Sequence, residues 1–74
     1  MHVNKGSKVI LDPTVNALKE TYPAANWITD TVTATLLEDC VVGTLDVFDV
    51  KTEDGSEESI YGFNIVEVVL LDWD

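Results

Sequence analysis

Residues 59–74, SIYGFNIVEVVLLDWD, decide the fold because they hold the densest run of β-branched and aromatic side chains in the chain. Such side chains fit the pleated, half-buried surface of a β-sheet better than a helix, in which they lose rotamer freedom. Within 65–71 only Glu67 interrupts the apolar run, so both faces of the segment call for cover, as in a strand inside a sheet or barrel. The sequence therefore predicts a central strand here, with Val66 and Val68 buried.

The length of 74 residues suits one small domain with one core. We expect a single domain over 1–74, with residues 1–6 as a flexible lead-in. A domain of this size buries only about 60% of its unfolded surface, so its stability is marginal without a partner or a covalent link. Cys40 is the only cysteine, which excludes a disulfide within the chain and fits a reducing, cytoplasmic setting. Its apolar neighbours favour a buried thiol over a reactive one. Neither a signal peptide nor a membrane-spanning run is expected.

Charge is the unusual property of the chain. Fourteen acids against four lysines give a net charge of −10, and arginine is absent. Residues 1–37 hold three acids and three lysines, whereas residues 38–74 hold eleven acids and Lys51 alone. A field of this sign repels nucleic acid and anionic membranes, and the arginine fork that grips phosphate is missing. We therefore expect neither as a direct partner.

Shorter patterns predict the order of the other elements. Strands are predicted at 7–11, 27–37 and 41–50, and in the second of these threonine alternates with other residues. A short helix is predicted after the first strand, capped by Asp12, with Pro13 at its first position and an end before Pro23. Its apolar stripe is Val15, Leu18 and Tyr22.

Asp54-Gly55 predicts a hairpin with a two-residue type I′ turn, in which both central residues have positive φ. Pairing outward from that turn aligns Val50 with Ser59, Phe48 with Tyr61, Asp46 with Phe63 and Thr44 with Ile65. The aromatic pairs on one face favour this register over one slipped by a residue.

Catalytic and metal-binding patterns are missing from the sequence. His2 is the only histidine and lies in the expected flexible lead-in, while Cys40 lies in an apolar stretch beside Val41 and Val42. A nucleophile with a neighbouring base is therefore not expected. The acidic loop 53–58 lacks the ligand spacing of an EF-hand, and no glycine-rich loop ends in a lysine. We expect no enzymatic activity, metal site or cofactor. Glu67 has two interpretations: a bulge or bend near 62–64 turns it outward, or it is a carboxylate in a partner-binding groove.

Residues 5–13, KGSKVILDP, followed by a loop with a helical turn and closely spaced strands, resemble the start of small SH3-like barrels, which include short bacterial and bacteriophage proteins. That resemblance implies a binding module. The nucleic-acid-binding branch of the fold is commonly basic, and the charge of −10 departs from it.

The predicted fold is mainly β: a small antiparallel SH3-like barrel or a strongly twisted sheet of four or five strands, with one short helix after the first strand. The expected function is a non-enzymatic module whose acidic face docks on a basic surface of another protein, with a nucleic-acid-mimicking inhibitor of bacteriophage type as its most specific form. The alternative is a structural subunit or homo-oligomer in which the charge serves only solubility. The candidate partner-binding residues are Asp46, Asp49, Glu53, Asp54, Glu57, Glu58, Trp27 and Trp73.

Overall fold

The computed structural model describes residues 1–70, with the side chains of residues 1–69. Their seven strands are β1 (His2–Val3), β2 (Lys8–Leu11), β3 (Val32–Leu36), β4 (Cys40–Val41), β5 (Val47–Thr52), β6 (Glu57–Tyr61) and β7 (Ile65–Leu70). The helical elements of this range are three 3₁₀ turns, at Asn16–Leu18, Pro23–Ala25 and Gly62–Asn64. None of these is long and apolar enough to cross a membrane.

The strands form two antiparallel sheets. Five make the main sheet in the order β6-β5-β3-β2-β7, while β1 pairs with β4. The mainly β prediction is confirmed for the described residues, but the sheet is not closed into a barrel. At the free edge of β6 the backbone groups form hydrogen bonds with side chains and not with another strand. Ser59 O accepts the Trp27 indole N–H, and Tyr61 N–H donates to the Asn64 side-chain amide oxygen.

The C-terminal apolar run forms an edge strand, so the prediction that it is central is wrong. The register of β7 on β2 pairs Leu11 with Ile65, Ile10 with Glu67, Val9 with Val68 and Lys8 with Leu70. Val66 and Val69 are therefore extra residues in two bulges, and they are 55% and 53% exposed. Bulges interrupt the alternation of side chains between the two faces of a strand. The apolar residues Val66 and Val69 are therefore exposed, and the run does not need to be covered on both faces. Val68 is half-buried and Glu67 is exposed. The bulge that turns Glu67 outward lies at Val66, beyond the predicted position near 62–64.

The predicted helix after the first strand does not form. Asp12 N–H donates to the Asn64 carbonyl at 2.9 Å, and the Asn64 side-chain amide donates to Asp12 O at 3.0 Å and to Thr14 Oγ1 at 3.1 Å. These long-range bonds engage the backbone of Asp12, the predicted cap of the helix, and only short 3₁₀ turns follow. Val15 and Leu18, two of the three residues in the predicted apolar stripe, are 63% and 39% exposed.

Two predicted strands are shorter than expected. In the strand predicted over 27–37, the Asp30 carboxylate accepts the Thr31 N–H at 2.8 Å and the Thr31 hydroxyl donates to Asp12 at 2.9 Å. The chain bends there, so β3 starts only at Val32. Within β3 the predicted alternation is confirmed, because Ala34 and Leu36 are buried whereas Thr33 and Thr35 are only half-buried. The segment predicted as a strand over 41–50 is interrupted at Gly43, whose φ is +83°.

The core lies on one face of the main sheet and extends under the short sheet. Part of the expected lead-in forms β1, and Val3 is buried. Cys40 is a buried thiol, as predicted. A ring cluster closes one end of the core, with Tyr22 edge-on to Tyr61 at 5.4 Å and Phe63 stacked on Tyr61 at 5.3 Å. The buried apolar residues are Val3, Val9, Leu11, Ala25, Ile28, Ala34, Leu36, Cys40, Val50, Ile60, Tyr61 and Ile65.

Candidate protein-binding site

The β5–β6 hairpin carries most of the predicted binding residues, but its register differs by one residue from the prediction. Thr52 N–H donates to Ser56 O at 2.8 Å and Gly55 N–H donates to Thr52 O at 3.0 Å, which encloses a three-residue loop. Gly55 has a φ of +92°, and no non-glycine residue of the described chain has a positive φ, so the predicted type I′ turn is wrong. A turn closed by a glycine in the left-handed region is the usual three-residue hairpin loop.

The longer loop moves every cross-strand pair by one position. Phe48 pairs with Ile60 instead of Tyr61, and Val50 pairs with Glu58 instead of Ser59. Because successive strand residues point to opposite faces, Glu58 shares the inner face with the buried Val50. Glu57 lies on the outer face, opposite Lys51.

A groove of about 480 Å³ opens between the hairpin tip and the segment that leads into β3. We call it the acidic groove. It contains four of the eight predicted residues, Trp27, Glu53, Asp54 and Glu58. A fourth carboxylate, that of Asp30, also lines it and was not predicted from the sequence. The other lining residues are Ile28, Thr29, Thr31, Val32, Thr52 and Ser56, so lysine and histidine are absent from the described lining.

Trp27 fixes one wall of the acidic groove. Its indole N–H donates to the Ser59 carbonyl at 2.6 Å, and the side chain is half-buried against the core. The Pro23–Ala25 turn just before it is held by Ala24 N–H, which donates to the Tyr61 hydroxyl at 3.1 Å. Two contacts with β6 thus position the segment that faces the hairpin tip.

Asp54 serves the turn itself. Its carboxylate accepts hydrogen bonds from the Thr52 hydroxyl and, at 3.1 Å, from the Ser56 N–H. These bonds, first that of Thr52, lower the pKa of the Asp54 carboxyl below its usual value. The charge therefore persists under mildly acidic conditions, and the side chain is exposed at the rim of the groove.

The remaining predicted carboxylates do not reach the acidic groove. Asp49 lies on the outer face and accepts the Ser59 hydroxyl at 3.2 Å, while its own N–H donates to Glu38 at 2.9 Å. Asp46 is exposed at the opposite end of the hairpin, where its carbonyl accepts the Gly62 N–H at 3.1 Å. Trp73 lies outside the described residues. The predicted docking surface is thus divided between two faces and two ends of the hairpin.

Other chemistry-bearing side chains lie apart from the acidic groove. Burial, followed by the charge of Glu38, raises the pKa of the Cys40 thiol to about 11, which leaves it protonated and a poor nucleophile at neutral pH. Among residues 1–70, no three His, Cys, Asp or Glu side chains are grouped so that they could hold a metal ion. Glu67 is exposed and lines a separate hollow of about 200 Å³, together with Met1, Val42, Ile65, Val66 and Val68.

The signal that sequence analysis missed is Asp30. It belongs to the half of the chain whose net charge is zero, so the lopsided charge distribution gave no reason to group it with the hairpin acids. The bend before β3 brings it to the groove. Comparisons of this chain with protein-family models, with curated protein sequences and with solved structures found no match.

Proposed function

We propose that this protein is a non-enzymatic binding module whose acidic hairpin docks on a basic surface of another protein in the cytoplasm. The observation that carries the proposal is the position of the hairpin carboxylates. Glu53, Asp54 and Glu57 are exposed and Glu58 is half-buried, and Lys51 is the only base on the two strands and their loop. Clustered charge of one sign raises the association rate with an oppositely charged partner and suppresses wrong ones.

The spacing of the carboxylates on the outer face of the hairpin bears on the kind of partner that we propose. A nucleic-acid mimic needs rows of carboxylates spaced like phosphates, which alternate residues of a strand approximate at about 6.6 Å. On the outer face, however, Asp49 is followed by Lys51 at the next alternate position, and Glu57 is followed by Ser59. We therefore propose that the partner presents a basic protein surface, and that the hairpin carboxylates do not imitate an extended phosphate backbone.

Self-association is the second candidate function, and exposed apolar side chains favour it. Leu45 and Val47 are 59% and 51% exposed next to the outer face of the hairpin, and Val66 and Val69 are exposed on the edge strand β7. Bulges of the kind found in β7 protect an edge against pairing with another strand. Light scattering across a range of concentrations separates the two candidates, since a homo-oligomer gains mass with concentration and the proposed module stays monomeric.

Capture from a cell lysate at low and high salt tests the proposal. The probe is the immobilised protein, and the variant is Glu53→Gln, Glu57→Gln and Glu58→Gln together, which brings the net charge of −10 to −7. A matched variant reaches the same charge through Glu20→Gln, Asp39→Asn and Glu67→Gln, three exposed acids outside the hairpin. We expect a basic protein that the wild type and the matched variant retain at low salt, that high salt releases, and that the hairpin variant does not retain. Equal retention by both variants contradicts the proposal.

A further inference from the structure

We infer that the acidic groove receives an extended basic segment of the partner protein, with the methylene stem of a lysine or arginine against Trp27 and Val32 and its cationic head at Glu58. This inference rests on the proposed function and names the partner chemistry of one part of its surface. The volume of the acidic groove, about 480 Å³, is within the range of pockets that bind small ligands, roughly 300–1,000 Å³. The groove is therefore large enough to hold a long side chain of an extended polypeptide.

The composition of the lining points to a long basic side chain. Trp27 and Val32, both half-buried, supply apolar surface, while Asp30, Glu53 and Glu58 supply negative charge. Lysine and arginine combine an apolar stem with a charged head, and they bury the stem while the head stays near water or a carboxylate. An indole is also the aromatic group that attracts a cation most strongly.

Two other cationic ligands fit less well. The described acids do not converge in a group that could hold a metal ion, so a small divalent cation gains less here than a polypeptide whose charges are spread along its length. A polyamine carries spread charge but lacks backbone groups. The loops around the groove offer hydrogen-bonding partners for a backbone, among them the hydroxyls of Thr29 and Ser56, which line the groove.

The position of Glu58 provides a sharp test. It is half-buried on the inner face, whereas its neighbour Glu57 is exposed on the outer face opposite Lys51. Glu57→Gln and Glu58→Gln change the net charge equally and differ by one residue in sequence. A long-range electrostatic effect would make the two variants lose affinity equally. A basic side chain bound in the groove would make Glu58→Gln lose more affinity than Glu57→Gln.

The experiment is a titration of the ¹⁵N-labelled protein with acetylated, amidated hexalysine at low salt, followed by NMR. A Trp73→Phe background leaves Trp27 as the only source of an indole N–H signal. We expect the largest shifts at that indole and in residues 29–32 and 52–58. We also expect Glu58→Gln to weaken the affinity about threefold to tenfold, and Glu57→Gln less than about twofold.

Three outcomes overturn the inference. These are equal weakening by the two glutamine variants, shifts spread over the outer face around Asp49, and no binding of hexalysine at low salt. None of them decides the proposed function, which depends on whether the hairpin acids retain a basic protein in the capture experiment. Retention by the hairpin acids combined with equal effects of Glu57→Gln and Glu58→Gln means that the partner docks on the hairpin without entering the groove.

Discussion

Replacement of Gly62 by alanine gives a direct test of how the hairpin base is packed. Gly62 is buried where β6 ends. Its N–H donates to Asp46 O at 3.1 Å and its carbonyl accepts the Gly43 N–H at 3.0 Å. A methyl group on Gly62 would overlap Val41 O and Thr44 Oγ1 and would lie 3.0 Å from Thr44 N. The two overlapped atoms also bond to each other at 2.9 Å, so relief requires movement of the backbone or loss of that bond.

The expected cost follows from these contacts. Overpacking costs about 1–3 kcal/mol, and loss of the Thr44 hydrogen bond adds roughly 0.5–1.5 kcal/mol, so Gly62→Ala should lose about 2–4 kcal/mol of unfolding free energy. A domain of this size has roughly 4–11 kcal/mol in total, and each kcal/mol corresponds to about 4–8 °C. We expect a drop in Tm of about 10–30 °C, measured by circular dichroism.

Gly43→Ala is the control for backbone effects. An added methyl there meets nothing within 4 Å, but the φ of +83° remains unfavourable. We expect a cost of about 1–2 kcal/mol for this variant, from backbone strain alone. If Gly62→Ala destabilises the protein no more than Gly43→Ala does, the packing described around Gly62 is wrong.

The remaining stability predictions concern the edge strand, the turn and the buried thiol. Val66→Ala should lower the free energy of unfolding, measured in urea, by less than about 0.5 kcal/mol, whereas Ile60→Ala in the core should lower it by about 2–5 kcal/mol. Equal losses would contradict the exposure of Val66 on an edge strand. Gly55→Val should lower the Tm although space is open there, because the φ of +92° suits no β-branched residue; an unchanged Tm would refute the turn geometry. The raised pKa of Cys40 means that the unfolded chain loses this proton near pH 9.0 and the folded chain near pH 11. Stability should therefore be complete below pH 9.0 and decline as the pH rises toward 11. Cys40→Ala should lack this component, and identical pH profiles would contradict the burial of the thiol.

Local sequence patterns predicted those parts of the fold that depend on local chemistry. The β-rich composition, the first strand, the alternation within β3 and the hairpin around Gly55 all follow from side-chain shape and backbone preference. The burial of Cys40 follows from its apolar neighbours. In each case the residues that carry the signal lie next to one another in the sequence.

Long-range contacts account for what the sequence did not predict. Asp-Gly is compatible with a two-residue or a three-residue loop, and the difference of one residue changes the face of Glu58. Asn64 binds Asp12 and Thr14 across about fifty positions of the chain, which replaces the predicted helix start. The bulges that make β7 an edge strand, and the bend that brings Asp30 to the acidic groove, likewise depend on partners that no local pattern identifies.

The association rate with the captured partner, measured against salt concentration, tests whether the hairpin acids attract a basic partner. We expect a rate that falls steeply with salt for the wild type and for the matched variant with Glu20, Asp39 and Glu67 neutralised. The variant with Glu53, Glu57 and Glu58 neutralised should associate more slowly and with a shallower salt dependence, because exposed charges act over about 8 Å at physiological ionic strength. Equal rates with equal salt slopes for all three proteins would mean that the hairpin acids only keep the protein soluble.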